Sequence, residues 1–390
     1  MTLELSRLTK QVQVMGKKLA SRQQQYADLV TLARRWLTQY ADQGEQLRHP
    51  ARSIHAAIPT GEPLDTIRSL PATPERFTFI AADGSQIQPN RHGAALYHLI
   101  NVGSLVYRHG SGQTPEQHSQ PTLGYAESDL YENGRLVDGN LLDVRRDLAE
   151  ITCLADLCAA EPTGNSQTVA VVDGTLILWT LDERAQDRQR TKVTAYLDQL
   201  NRIRETGAAV AAFISRPRRT EVTRLLYLAS LDGDANRAAQ EPNPLERLPD
   251  RAVFETLPPG ARSALFVSPS EINHKYYVAE GHNIHFFYLN LAPEDCDPVI
   301  ARIELPAWAA EDADRLALIH AGIVAQARIA GDYPYALARA DELAFISGPE
   351  RETLDEMVTT ALLHAGVRTA LSPKAYYKTL TRRGRRSHRL

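Results

Sequence analysis

Residues 77–85 read FTFIAADGS, and residues 168–175 read TVAVVDGT. Each is a short, β-prone apolar run that stops at an Asp-Gly pair, Asp83-Gly84 and Asp173-Gly174. Runs of this length and composition predict buried strands. A carboxylate at the end of such a strand stands where open α/β sheets build their sites. Glycine after it lets the chain turn sharply or lets a ligand come close. Asp-Gly is also among the commonest turn dipeptides, so a single copy would read as a turn. Two copies after two apolar strands point to a pair of acids able to share a divalent cation, since hard cations prefer carboxylate oxygens.

Working outward, AALYHLINVGSLVY at 94–107 is a second β-prone stretch, and residues 109–125 are polar and read as a loop or hairpin excursion. LLDVRRDLAEITCLADL at 141–157 has helical periodicity and ends before EPTGN at 161–165. Residues 193–205 predict a helix and AVAAFI, ending at Ile214, the next strand. Strand, helix, strand, helix, strand implies parallel crossovers and an α/β sheet. Further strands are expected at 263–267, 282–291 and 300–305, and helices at 310–330, 334–345 and 349–365. Upstream, Leu5, Leu8, Val12, Met15, Leu19, Tyr26, Leu29, Ala33, Trp36 and Tyr40 alternate at 3–4 spacing, with Arg22 the polar seam position. One long coiled-coil-like helix over 3–45 follows, its narrow stripe suited to self-association or to docking on the next domain. The expected division is an N-terminal arm (1–50), a proline-rich connector (51–74), a catalytic domain (75–370) and a basic tail (371–390).

The 390 residues are 43% hydrophobic and 23% charged, which excludes a disordered or collagen-like chain. No apolar run approaches the ~20 residues of a membrane span, and the N-terminus lacks the apolar core of a signal peptide. Cys153, Cys158 and Cys296 cannot all pair and form no CxxC, which suits a reducing cytoplasm. Net charge is −3, yet residues 374–389 carry seven Lys/Arg and no acid. An acidic body with a basic tail suits a protein that handles nucleic acid. There is no HExxH, GxSxG or GxxxxGK[ST], which argues against zincin, α/β-hydrolase and P-loop chemistry.

Within 141–157, Asp143, Arg146 and Glu150 share one helix face. They form either a solvated acid–base ladder or a source of one inward acid. Tyr333 precedes Pro334, and Asp341 lies two turns into the helix that Pro334 opens.

The ordered set AADGS (81–85), DVRRDLAEI (143–151), VVDGTL (171–176), FISRP (213–217), DRAVFETLPPGARSALF (250–266), ARIELPAW (301–308) and GDYPYALARADELAFI (331–346) resembles the NurA family of DNA-end-processing nucleases. The resemblance implies an RNase H-like α/β core. It also implies manganese-dependent exonuclease and endonuclease activity on single- and double-stranded DNA, with Mg2+ as the alternative ion. A homodimer and a hexameric ATPase partner, HerA, in double-strand-break end resection are implied as well. By this resemblance Asp83 and Asp173 match the two Asp-Gly metal ligands, and Tyr333 matches the late tyrosine. Glu150 is the chosen helix carboxylate, with Asp147 and Asp143 as competitors. The family often has Ala-His where this chain has Ala340-Asp341; a carboxylate there makes Asp341 a fourth ligand better suited to Mn2+ or Mg2+ than imidazole is. Phosphodiester hydrolysis on two metals needs no covalent nucleophile, in keeping with the missing nucleophile motif. Arg216, Arg218, Arg219 and Arg262, with Lys374, Arg382, Arg383, Arg385 and Arg386 of the tail, are the candidates for gripping backbone phosphates. The rival reading is a nuclease fold with weak or no activity that clamps DNA ends for the ATPase.

Overall fold

The computed structural model describes residues 5–132, 134–162, 167–179 and 186–367. The chain divides into two compact units. One comprises Met1–Pro74, Gly174–Ile177 and Val210–Pro334; the other comprises Glu75–Asp173, Leu178–Ala209 and Tyr335–Leu390.

The unit that begins at Glu75 holds both Asp-Gly strands. Its elements are β1 (Phe77–Ile87), β2 (His98–His109), β3 (Glu116–Gly124), α1 (Gly139–Ala160), β4 (Thr168–Asp173), α2 (Gln186–Glu205), α3 (Tyr335–Ala344) and α4 (Gly348–His364). β1 pairs antiparallel with β2, and β2 antiparallel with β3. β4 returns parallel to β1, with Thr78 opposite Thr168 and Ala82 opposite Val172. Three antiparallel strands, a helix, then a strand parallel to the first make an RNase H-like α/β fold. Asp138 caps α1 by accepting from the Leu141 N–H at 3.0 Å.

One expectation gives way here, and another resolves to its hairpin alternative, since Glu116–Gly124 pairs antiparallel with β2. The apolar run does end at Asp83, but the strand does not: β1 runs on to Ile87 because β2 still offers it partners, Ser85 opposite Asn101 and Ile87 opposite Leu99. The first Asp-Gly is therefore inside a strand. The polar stretch 109–125 is largely an edge strand, β3, most of whose side chains are exposed. Its backbone ladder rather than an apolar face holds it, and Pro121 is tolerated on such an edge. The second Asp-Gly behaves as read: β4 ends at Asp173, and Gly174 takes φ +108°, a conformation that favours glycine.

The other unit carries the N-terminal segment. The long helix spans Thr9–Gln39 and stops at Tyr40; a second helix, Gly44–Ser53, enters the stretch expected to be connector. The heptad stripe has two fates. Val30 and Ala33 are buried in a core with Leu47, Leu64, Val222, Leu226, Phe266, Phe286 and Tyr288, while Leu5, Val12, Met15 and Leu19 remain more than half exposed. The strands of this unit are antiparallel: Ile284–Asn290 pairs with Ile300–Pro306, which pairs in turn with Phe213 and Ile214. Among the described residues no helix is long and apolar enough to cross a membrane.

Candidate active site

Strand alternation sets the site. Because Ala82 is level with Val172 in the parallel ladder, the residues that follow, Asp83 and Asp173, come level at the end of that pairing. Asp83 and Ser85 point to one face of β1, Gly84 and Gln86 to the other. On the first face lies α3. The Ser85 hydroxyl donates to the Ala344 carbonyl, and the Asn101 amide donates to the carbonyls of Leu343 (3.0 Å) and Ala344 (2.9 Å). Gly103 clears the way for this helix, for a Cβ there would lie 2.2 Å from the Ala340 carbonyl oxygen. So docked, α3 brings the Asp341 carboxyl near enough for its charge to act on Asp83.

On the other face lies α1. Gln86 donates to Asp143 at 2.7 Å. Gly84 leaves a gap in the strand surface that Glu150 and Arg146 fill: a Cβ at Gly84 would lie 2.5 Å from Glu150 Oε1 and 2.7 Å from Arg146 Cγ. Of the three acids that compete on this helix, Glu150 is the buried one, its side chain 7% exposed against about a third for Asp143 and Asp147. Glu150 thereby acts electrostatically on the same strand-end acids, Asp83 and Asp173.

Two of these four carboxyl groups hold their protons more tightly than an ordinary carboxylic acid does. Burial pushes the Asp83 carboxyl up to about 6; the Gly84 N–H, 2.8 Å from Oδ1, opposes this, while the charges of Asp173 and Asp341 add to it. Burial also raises Glu150 well above the ordinary carboxylate range, helped by Asp147, resisted by Arg146, and helped again by Asp83 and Asp173. A donor set made of carboxylate oxygens alone suits a hard divalent cation. The acids are gathered rather than closed: among the described residues no three acid, imidazole or thiol groups are already arranged to hold a metal ion.

The remaining expected residues belong to other segments of the chain. Tyr333 belongs to the other unit, where its ring meets Phe213 edge-on at 5.2 Å. Arg216, Arg218 and Arg219 are exposed in that unit, Arg216 with a left-handed backbone at φ +46°. Arg262 is buried, at 6% exposure. Both its terminal nitrogens donate to Glu62, each at 3.0 Å, and one donates also to the Ser263 carbonyl. Its guanidinium is engaged inside the protein rather than offered to a phosphate. Lys374, Arg382, Arg383, Arg385 and Arg386 lie outside the described residues.

The sequence places Arg146 in a helix-face ladder without a role at the site, and gives Glu304 no role at all. Arg146 touches Asp143, Asp147 and Glu150 at once; its i,i+3 and i,i+4 spacing was the signal, masked by its likeness to a surface ladder. Glu304 accepts from the Thr175 hydroxyl at 2.6 Å and the Leu176 N–H at 3.2 Å, just after the second Asp-Gly. A lone acid inside IARIEL was its signal.

A family model for the NurA domain matches residues 77–346. No curated protein matches the sequence. Among solved structures, the NurA nuclease from Sulfolobus solfataricus is 15% identical and covers 91% of this chain and 98% of its own, with a TM-score of 0.48. The catalytic domain of human endonuclease V is 12% identical over 80% of this chain and 95% of its own, TM-score 0.34. LC9-RNase H1 is 14% identical over 36% of this chain and 64% of its own, TM-score 0.22. With a domain match over more than half its length, the chain belongs to the NurA family of nucleases.

Proposed function

We propose that this chain is a divalent-metal-dependent deoxyribonuclease that processes single- and double-stranded DNA ends in double-strand-break repair. In this reading it works in the cytoplasm as a homodimer beside a HerA-type hexameric ATPase. Residues 75–370 are its nuclease domain, 1–50 an arm for self-association or partner docking, 51–74 a connector and 371–390 a DNA-affinity tail. The observation that carries the proposal is the convergence of Asp83, Asp173, Asp341 and Glu150 on one end of the β1–β4 pair.

These four carboxylates would hold Mn2+ or Mg2+. A bound divalent ion supplies a nucleophilic water near neutral pH and stabilises charge on the leaving oxygen. The chain's own residues have separate tasks. The charges of Asp83 and Asp341 repel one another, and a bound cation would offset that repulsion. Gly84 keeps the strand surface open so that Glu150 reaches from the far side of the sheet. The Gly84 N–H fixes the orientation of Asp83 through Oδ1. Arg216, Arg218, Arg219 and the basic tail bind phosphates without reading sequence.

The test is cleavage of 5′- and 3′-labelled duplex and single-stranded DNA by the full chain in Mn2+, Mg2+ or EDTA. Cleavage with either ion and none in EDTA is expected. DNA retention without cleavage under every condition would overturn the nuclease reading in favour of an end clamp.

A further inference from the structure

We propose that Arg146 is the built-in counter-ion of the carboxylate cluster, holding Glu150 in the metal-free protein and yielding it when a divalent cation binds. The inference rests on reading Asp83, Asp173, Asp341 and Glu150 as the metal-holding set.

Arg146 sits on α1 among three acids of its own helix. Nη1 is 3.5 Å from Asp143, Nη2 3.0 Å from Asp147, and Nε 3.2 Å from Glu150 Oε1. On an exposed helix such a ladder contributes little and needs no function. Two features set this one apart. The Glu150 side chain is only 7% exposed. And the Arg146 stem is laid across the strand at Gly84, where a Cβ would meet its Cγ at 2.7 Å and its Cδ at 3.1 Å. The Arg146 stem therefore crosses the strand at Gly84, while its guanidinium joins the buried Glu150 to Asp143 and Asp147.

The contact with Glu150 is also replaceable. Nε is buried and near Oε1, yet it makes no well-formed hydrogen bond there. Charge, not a fixed hydrogen bond, joins the two. A divalent cation in the cluster would draw on the same Glu150 oxygen, so metal and guanidinium compete for it. The neighbouring acids Asp143 and Asp147 give Arg146 a place to remain when it releases Glu150.

Removing the positive charge should tighten metal binding, whereas a purely structural role would loosen it. The experiment titrates Mn2+ alone into the full-length protein, without DNA, and follows the free-ion electron paramagnetic resonance signal. Arg146→Met keeps an apolar stem over Gly84 without charge, Arg146→Gln is a second neutral variant should the first not fold, and Arg146→Lys keeps the charge. We expect the neutral variant to bind Mn2+ at least tenfold more tightly than the parent, and the Lys variant to bind within about threefold of it. We also expect the neutral variant, in EDTA, to unfold at lower denaturant than the parent and to gain more stability from Mn2+. If the parent binds Mn2+ and a folded neutral variant binds it equally or more weakly, the counter-ion role is wrong while the metal reading stands. If the parent itself binds no Mn2+, the metal reading fails and takes this inference with it.

Discussion

Gly84→Ala adds one methyl group at the point where Glu150 passes the strand. The φ of Gly84 is not in the positive range, so the backbone itself admits alanine. The new Cβ would stand 2.5 Å from Glu150 Oε1 and 2.7 Å from Arg146 Cγ, against an ordinary contact of 3.4 Å. Glu150 must then retreat by about 0.9 Å. α1 does not move to accommodate this, since Leu142, Ile151, Leu154 and Cys158 are buried along its length. A displacement near 1 Å at a reacting centre costs on the order of 100-fold in rate. The stability cost is smaller: overpacking costs about 1–3 kcal/mol, and alanine recovers roughly 0.5–1 kcal/mol over glycine inside a strand. The assay pairs initial cleavage rates in Mn2+ with urea unfolding. Gly16→Ala is the control, because nothing lies within 4 Å of its Cβ position in the N-terminal helix; it should stabilise slightly and cut at the parent's rate. A Gly84→Ala protein that is folded and cuts as fast as the parent would refute the role given to Glu150.

Three other outcomes follow from the same structure. Glu62→Ala strands the buried Arg262 and should cost about 3–5 kcal/mol in denaturant unfolding, as expected when one partner of a buried ion pair is removed; a loss under 1 kcal/mol would show that Arg262 is not held there. His320 is buried, donates from Nε2 to the Gly260 carbonyl at 2.7 Å, and is held down to about 4 by burial, which outweighs that hydrogen bond, with Arg262 also opposing its charge. The unfolded chain takes up that proton first, so this stability is complete above about 6.5 and is lost as pH falls toward 4, up to about 3 kcal/mol; His320→Gln should flatten that part of a stability–pH curve. A chain ending at Ser372 should show a shallower salt dependence of DNA affinity than the full chain, since seven positive charges are removed and each phosphate contact adds close to one unit of slope; equal slopes would separate the tail from DNA.

Much of the fold was legible because burial writes period and composition into a sequence. FTFIAA and TVAVV are strands since both faces of each are covered, and the α1 periodicity reports its packed side. What stayed hidden is held by other forces. β3 is built of backbone hydrogen bonds along a polar edge, so EQHSQPTLG shows no alternation to read. The extension of β1 through Asp83-Gly84 depends on its pairing with β2, which a turn dipeptide does not reveal. Arg262 looks like a free cation in sequence because its partner Glu62 lies 200 residues away. The choice among Asp143, Asp147 and Glu150 also needed three dimensions, since helical spacing puts all three near one face and only the gap at Gly84 singles out one. The two units are assembled from separated segments, and periodicity reports only neighbours along the chain.

The strand-end aspartates, in this reading, hold the cation on which DNA cleavage depends. Single-turnover cleavage of end-labelled DNA in Mn2+, by the parent beside Asp83→Asn and Asp173→Asn, tests it most directly. Each substitution replaces one charged ligand by a neutral group of the same shape. We expect cleavage by the parent, none in EDTA, and loss of at least 1000-fold in both variants (about 4 kcal/mol of transition-state stabilisation) while both remain folded. Cleavage by either variant at the parent's rate, or undiminished cleavage in EDTA, would contradict this reading.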